Sequence, residues 1–124
     1  MAHILVIEDD VTFQEMLVQM LETDGHQVAR AGDGVEAMAL LERIRPELIL
    51  TDILMPNMDG VETIVALSAQ CTNIPVIAMS GGWRSITPEF NLSTAVLLGA
   101  KATLTKPFSR ADLRQAIAEA LSGN

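Results

Sequence analysis

The sequence predicts an α/β domain with three layers, a (βα)5 chain whose doubly wound parallel sheet has the strand order 2-1-3-4-5. Three observations carry that prediction. Five short runs of strand-compatible apolar residues alternate with stretches of helical apolar periodicity. The runs are continuously apolar, the pattern of strands covered on both faces. Four of the five runs end on polar residues, whereas the second ends on Ala31, which marks it as an edge strand.

Ile4-Leu5-Val6-Ile7 is the first run, closed by Glu8-Asp9-Asp10. Phe13, Met16, Leu17, Met20 and Leu21 then fall at i, i+3, i+4, i+7 and i+8, the core face of a helix. Asp10 is its expected N-cap and Gly25 its stop. The second strand covers Gln27 to Ala31. Asp33-Gly34-Val35-Glu36 reads as a capping box for a helix carrying Ala37, Met38, Leu41 and Ile44 that ends before Pro46. Leu48-Ile49-Leu50-Thr51-Asp52 is the central strand, which stops on a carboxylate and is followed by the breakers Pro56 and Asp59-Gly60.

A second box, Asp59 to Glu62, opens a third helix through Ala69. Val76 to Met79 is the fourth strand, ending at Ser80, and Ser80 to Ser85 reads as a polar, flexible loop. Thr87 and Pro88 start a fourth helix that stops at Gly99. Ala102 to Thr105 is the fifth strand, ending at Lys106-Pro107. Ser109 to Asp112 is a third capping box, and Leu113, Ala116, Ile117, Ala120 and Leu121 repeat the helical spacing.

Composition narrows the function. At 124 residues, 49% apolar and 19% charged, the chain is expected to form one globular domain spanning residues 1–124. With aromatics at 3%, its core must be aliphatic. A net charge of −8 argues against a nucleic-acid or anionic membrane surface. The lone Cys71 excludes an internal disulfide and is read as an inert thiol. Met1-Ala2-His3 enters a strand without a leader-like segment, so a cytoplasmic location is expected. His3 and His26 are expected at the surface.

A parallel sheet places all strand C-termini on one edge, with the ligand crevice where the strand order reverses. There Glu8 and Asp9 meet Asp52, with Ser80 and Lys106 beside them. Three carboxylates in one crevice repel one another, and a cation settles the conflict. Hard oxygen donors without His or Cys suit Mg²⁺. A hydroxyl and an ammonium suit the charge on a phosphoryl group, and an Asp carboxylate is a phosphoryl-accepting nucleophile. The residues spell an aspartyl-phosphate site.

Ile7-Glu8-Asp9, Asp52 with Met55-Pro56 and Asp59-Gly60, Ser80, and Lys106-Pro107-Phe108 stand in order along the whole chain. In this the chain resembles the receiver domain of two-component response regulators, similar in size to the stand-alone chemotaxis regulator, with a flavodoxin-like fold. The resemblance implies a phosphorylation-dependent switch in a phosphorelay. Asp52 would take its phosphoryl group from a sensor histidine kinase or phosphotransfer protein. Asp9 would bind Mg²⁺ directly and Glu8 through water, with the Leu54 carbonyl completing the set beside Asp52. Ser80 would bond the phosphoryl oxygen and Lys106 pair with it, the Lys106–Pro107 bond being typically cis.

The signal would pass to a downstream protein or a covalent output domain, since the chain fits either a complete regulator or the N-terminal part of a longer one. Thr103 stands where the family commonly carries an aromatic, so the Gly81-Gly82 loop and fourth helix are expected to move instead. Two alternatives compete. A phosphorylation-independent pseudo-receiver is disfavoured by the intact acids, Ser80 and Lys106. A phosphohydrolase acting on an external substrate would need a second acid at position 54, where Leu54 stands.

Overall fold

The computed structural model describes residues 2–52, 74–81 and 100–122. The expected third and fourth helices lie outside the described residues, as do Leu54, Cys71, Trp83 and the Asp59 and Thr87 caps. Five strands, β1 (His3–Ile7), β2 (Gln27–Ala31), β3 (Leu48–Asp52), β4 (Val76–Gly81) and β5 (Ala102–Lys106), form one sheet in the order β2-β1-β3-β4-β5. Every neighbouring pair is parallel. The described helices are α1 (Val11–Thr23), α2 (Gly34–Leu41) and the C-terminal helix (Arg110–Ser122).

Alternation along the strands divides the core. Ile4, Val6, Leu48, Leu50, Ile77 and Met79 face one way and pack with Leu17 and Leu21 of α1 and Leu113, Ala116 and Ile117 of the C-terminal helix. Leu5, Ile7, Ile49 and Ala78 face the other way and pack with Ala37 and Leu41 of α2. A side chain such as Leu50, with no exposed surface, contributes roughly 1.5–3 kcal/mol by leaving water. Burial on both faces is why the strands carry no apolar–polar alternation.

The chain's local signals explain the element ends. Asp10 caps α1 by accepting from the Phe13 N–H at 3.1 Å. Past Asp24 the chain turns through Gly25 at φ 92°, a left-handed conformation that glycine adopts without a Cβ clash. Ser109 and Asp112 form a reciprocal capping box, each side chain accepting from the other's backbone N–H at 3.0 and 3.2 Å.

Five expectations are corrected. α2 ends at Leu41 and does not carry Ile44 up to Pro46, because the Glu42 and Arg43 N–H groups bond three residues back, to the Ala39 and Leu40 carbonyls, and tighten the turn out of the helix. The Asp33 carboxylate accepts from the Glu36 N–H, but Glu36 reaches one residue past this cap, to the Gly32 N–H, so the box is not reciprocal. Met16 and Leu121, expected in the core, are 43% and 46% exposed, while Val18 is buried, because the sheet meets only a narrow stripe of each helix. β4 continues through Ser80 to Gly81, where the sequence suggested a loop, since pairing with Thr105 and Lys106 of β5 outweighs the low strand propensity of glycine. His3 and His26 are both half-buried rather than exposed, the Nδ1 of His26 accepting from the Ala2 N–H at 3.0 Å.

Candidate phosphoryl-transfer site

The sheet delivers the expected residues to one edge. β1 ends at Ile7, so Glu8 and Asp9 are the first residues beyond it, and Ile7 pairs with Thr51, one residue before Asp52. Asp52 itself pairs with Met79, which sets Ser80 at the next position along β4. Lys106 closes β5 and is joined to Pro107 by a cis peptide bond.

Glu8, Thr51 and Asp52 are the buried polar residues among those described, at 1%, 0% and 2% exposure. Buried carboxylates persist only with partners. The Lys106 ammonium supplies them, donating to Glu8 Oε1 at 2.6 Å and Asp52 Oδ2 at 2.7 Å. The second oxygen of Glu8 accepts from the Asp10 N–H at 3.0 Å. Burial, reinforced by the charge of Asp52, pushes the Glu8 carboxyl from 4.5 up to about 7, against the opposing bonds from Lys106 and Asp10. Burial also opposes the charge on Lys106, but its bonds to Asp52 and Glu8 win and raise its pKa.

Asp9 completes the crevice. Glu8, Asp9 and Asp52 each offer an oxygen, and the three lie within 4.8 Å of one another. This donor set contains neither imidazole nor thiolate, and with the unfavourable charge on Glu8 it fits a hard divalent cation such as Mg²⁺.

Leu54, the remaining expected ligand, lies outside the described residues. The backbone of Ser80 is placed by its pairing with Thr105. Thr103 is half-buried and shares the wall of a cleft with Phe108, Gln115 and Glu119.

Two participants carry no motif. Gln14 donates to the carbonyls of both Glu8 and Ala31 at 3.0 Å, tying α1 to the tips of β1 and β2. Phe13 places its ring 4.3 Å from the Lys106 ammonium. In the sequence Phe13 reads only as a helix core residue, and its position one turn after Glu8-Asp9-Asp10 is the available signal.

The profile of the response regulator receiver domain matches residues 4–118. The chain is 34% identical over 125 residues to protein PilH of Pseudomonas aeruginosa, covering 99% of this chain and 100% of that protein. It is 30% identical over 111 residues to the DNA-binding response regulator MtrA of Mycolicibacterium paratuberculosis, covering 90% of this chain and 47% of that protein. The chain thus spans about half the length of that relative. Among solved structures it is similar to the receiver domain of NtrX from Brucella abortus, with a TM-score of 0.89, 26% identity, and coverage of 98% of this chain and 99% of that one.

Proposed function

The chain belongs to the response regulator receiver family of two-component systems, and on that premise we propose that it is a switch thrown by phosphorylation of Asp52. The observation that carries the reading is the convergence of Glu8, Asp9 and Asp52 within 4.8 Å, with Lys106 bound to two of them. An Asp52 oxygen attacks the phosphorus of a phosphohistidine on a sensor kinase or phosphotransfer protein. The P–N bond breaks, and the imidazole leaves with its electron pair and takes up a proton. Lys106, already at Asp52, balances the charge of the new phosphoryl oxygens, and the Ser80 hydroxyl donates to one of them. Glu8, Asp9 and Asp52, with the Leu54 carbonyl, would hold Mg²⁺, which supplies positive charge against the transferring group.

Family members of this kind are signalling switches rather than metabolic enzymes, and the readout passes to a partner protein or an attached output domain. With its net charge of −8, this domain is not itself the DNA-contacting element. Among the described residues no helix is long and apolar enough to cross a membrane.

The test is the intact mass after incubation with Mg²⁺ and acetyl phosphate, beside Asp52→Asn. A gain of one phosphoryl group that requires Mg²⁺ and is absent in the variant is the expected result. No gain in the wild type would overturn the reading in favour of a phosphorylation-independent interaction module.

A further inference from the structure

We propose that Phe13 is a positioning residue for Lys106, its ring holding the ammonium at the acidic crevice when the carboxylates are engaged elsewhere. The inference rests on the receiver reading and concerns the same site. The Lys106 ammonium lies 4.3 Å from the centroid of the Phe13 ring, well inside the range at which a ring face attracts a cation. Phe13 in turn meets Phe108 edge to face, with centroids 5.7 Å apart and planes at 87°, a favoured arrangement of two rings. The contact is anchored at both ends. Phe13 donates its N–H to Asp10, and the next residue, Gln14, is bonded to the Glu8 and Ala31 carbonyls. Phe108 follows Lys106 by two residues.

The ring does something the carboxylates do not. Glu8 and Asp52 hold Lys106 by charge. That pull weakens when a divalent cation shares those oxygens, before a phosphoryl group has arrived to replace it. A lysine on a flexible four-carbon stem, 17% exposed, is then free to swing into water. The ring's attraction neither titrates nor is consumed by a bound cation. Phe13 therefore matters most in the loaded state, keeping Lys106 where the phosphoryl oxygens arrive.

The experiment replaces Phe13 in the full chain with phenylalanines carrying one, three and five ring fluorines. These drain negative charge from the ring face while barely changing its shape. Phe13→Leu and Phe13→Trp are the companions. Two quantities are read: solvent exchange of the Lys106 ammonium protons by ¹⁵N NMR during titration with Mg²⁺ alone, and the rate of phosphoryl uptake from acetyl phosphate.

The expected result is exchange at saturating Mg²⁺ that quickens roughly three- to thirtyfold across the fluorine series. Phosphoryl uptake slows in the same order, Leu sits with the pentafluoro ring, and Trp matches or exceeds Phe. Exchange that ignores fluorination would overturn the inference, including the case in which only Leu has an effect, since packing alone would explain that. If acetyl phosphate leaves the wild type unmodified, the receiver reading fails, while the ammonium measurement still decides the role of Phe13.

Discussion

Glu8→Gln should make the metal-free protein more stable above neutral pH. Glu8 is 1% exposed, and its carboxyl is raised from 4.5 to about 7, by burial first and by Asp52 second. The folded state therefore keeps a proton that the unfolded chain has released. The stability tied to that proton is whole below pH 4.5 and is lost as the pH rises to about 7. At 1.36 kcal/mol per pKa unit, the loss is about 3 kcal/mol or a little more. Glutamine imitates the protonated acid at every pH. Its single carbonyl oxygen serves only one of the two donors now bonded to Glu8, the Lys106 ammonium and the Asp10 N–H, which costs about 1 kcal/mol. The difference leaves the variant about 2 kcal/mol more stable at pH 8.

The assay is urea unfolding of both proteins in EDTA at several pH values from 4.5 to 8. Subtracting one curve from the other removes the titration of every shared group. A wild-type minus variant difference that stays flat, or that rises with pH, would refute the assignment. Repeating the pH 8 measurement in Mg²⁺ should reverse the order, because a cation bound to Glu8, Asp9 and Asp52 stabilises only the folded state.

Two further outcomes are expected. The Asp24 carboxylate accepts from Arg114 and Arg110 at 2.6–3.0 Å. Those bonds, Arg114's first, hold its pKa well below 3.8, so its contribution is present above that range and fades as the pH falls through the acid region. Asp24→Asn should thus lower the urea midpoint slightly at pH 7, with a difference that shrinks in 1 M salt; a loss indifferent to salt would show that packing, not charge, is at stake. Leu54→Asn should shorten the phosphoryl lifetime several-fold, since an amide two residues past Asp52 can orient an attacking water where leucine cannot. Decay of the phosphorylated mass over time reads this directly, and equal lifetimes would refute it.

The elements were legible because their signals are local. Asp10, Ser109 and Gly25 act within one turn of chain, and the apolar runs of β1 and β3 need only their own residues to read as buried. The strand order was legible for a different reason: Ala31 is the one strand tip without a polar group, and the sheet places β2 at the edge. The misreadings arose where a distant partner decides. Gly81 is a strand residue because Lys106 lies opposite it, more than twenty residues further along the chain. Met16 is exposed because α1 turns a narrower face to the sheet than its periodicity suggests.

Phe13 shows that limit most clearly. Apolar periodicity assigns it to the core of α1, and it does pack against that core. The same ring also faces the Lys106 ammonium, and nothing local to either residue announces the meeting. It follows from the sheet order, which brings the end of β5 across β4 and β3 to the tip of β1, where α1 begins. A chain with only three phenylalanines and one tryptophan sets two of its phenylalanines, Phe13 and Phe108, against each other beside this lysine. Among the described residues the rest of the core is filled by non-aromatic side chains, so packing volume alone does not call for rings here. A ring face adds an attraction for the ammonium that leucine lacks, and that attraction outlasts the neutralisation of the neighbouring carboxylates.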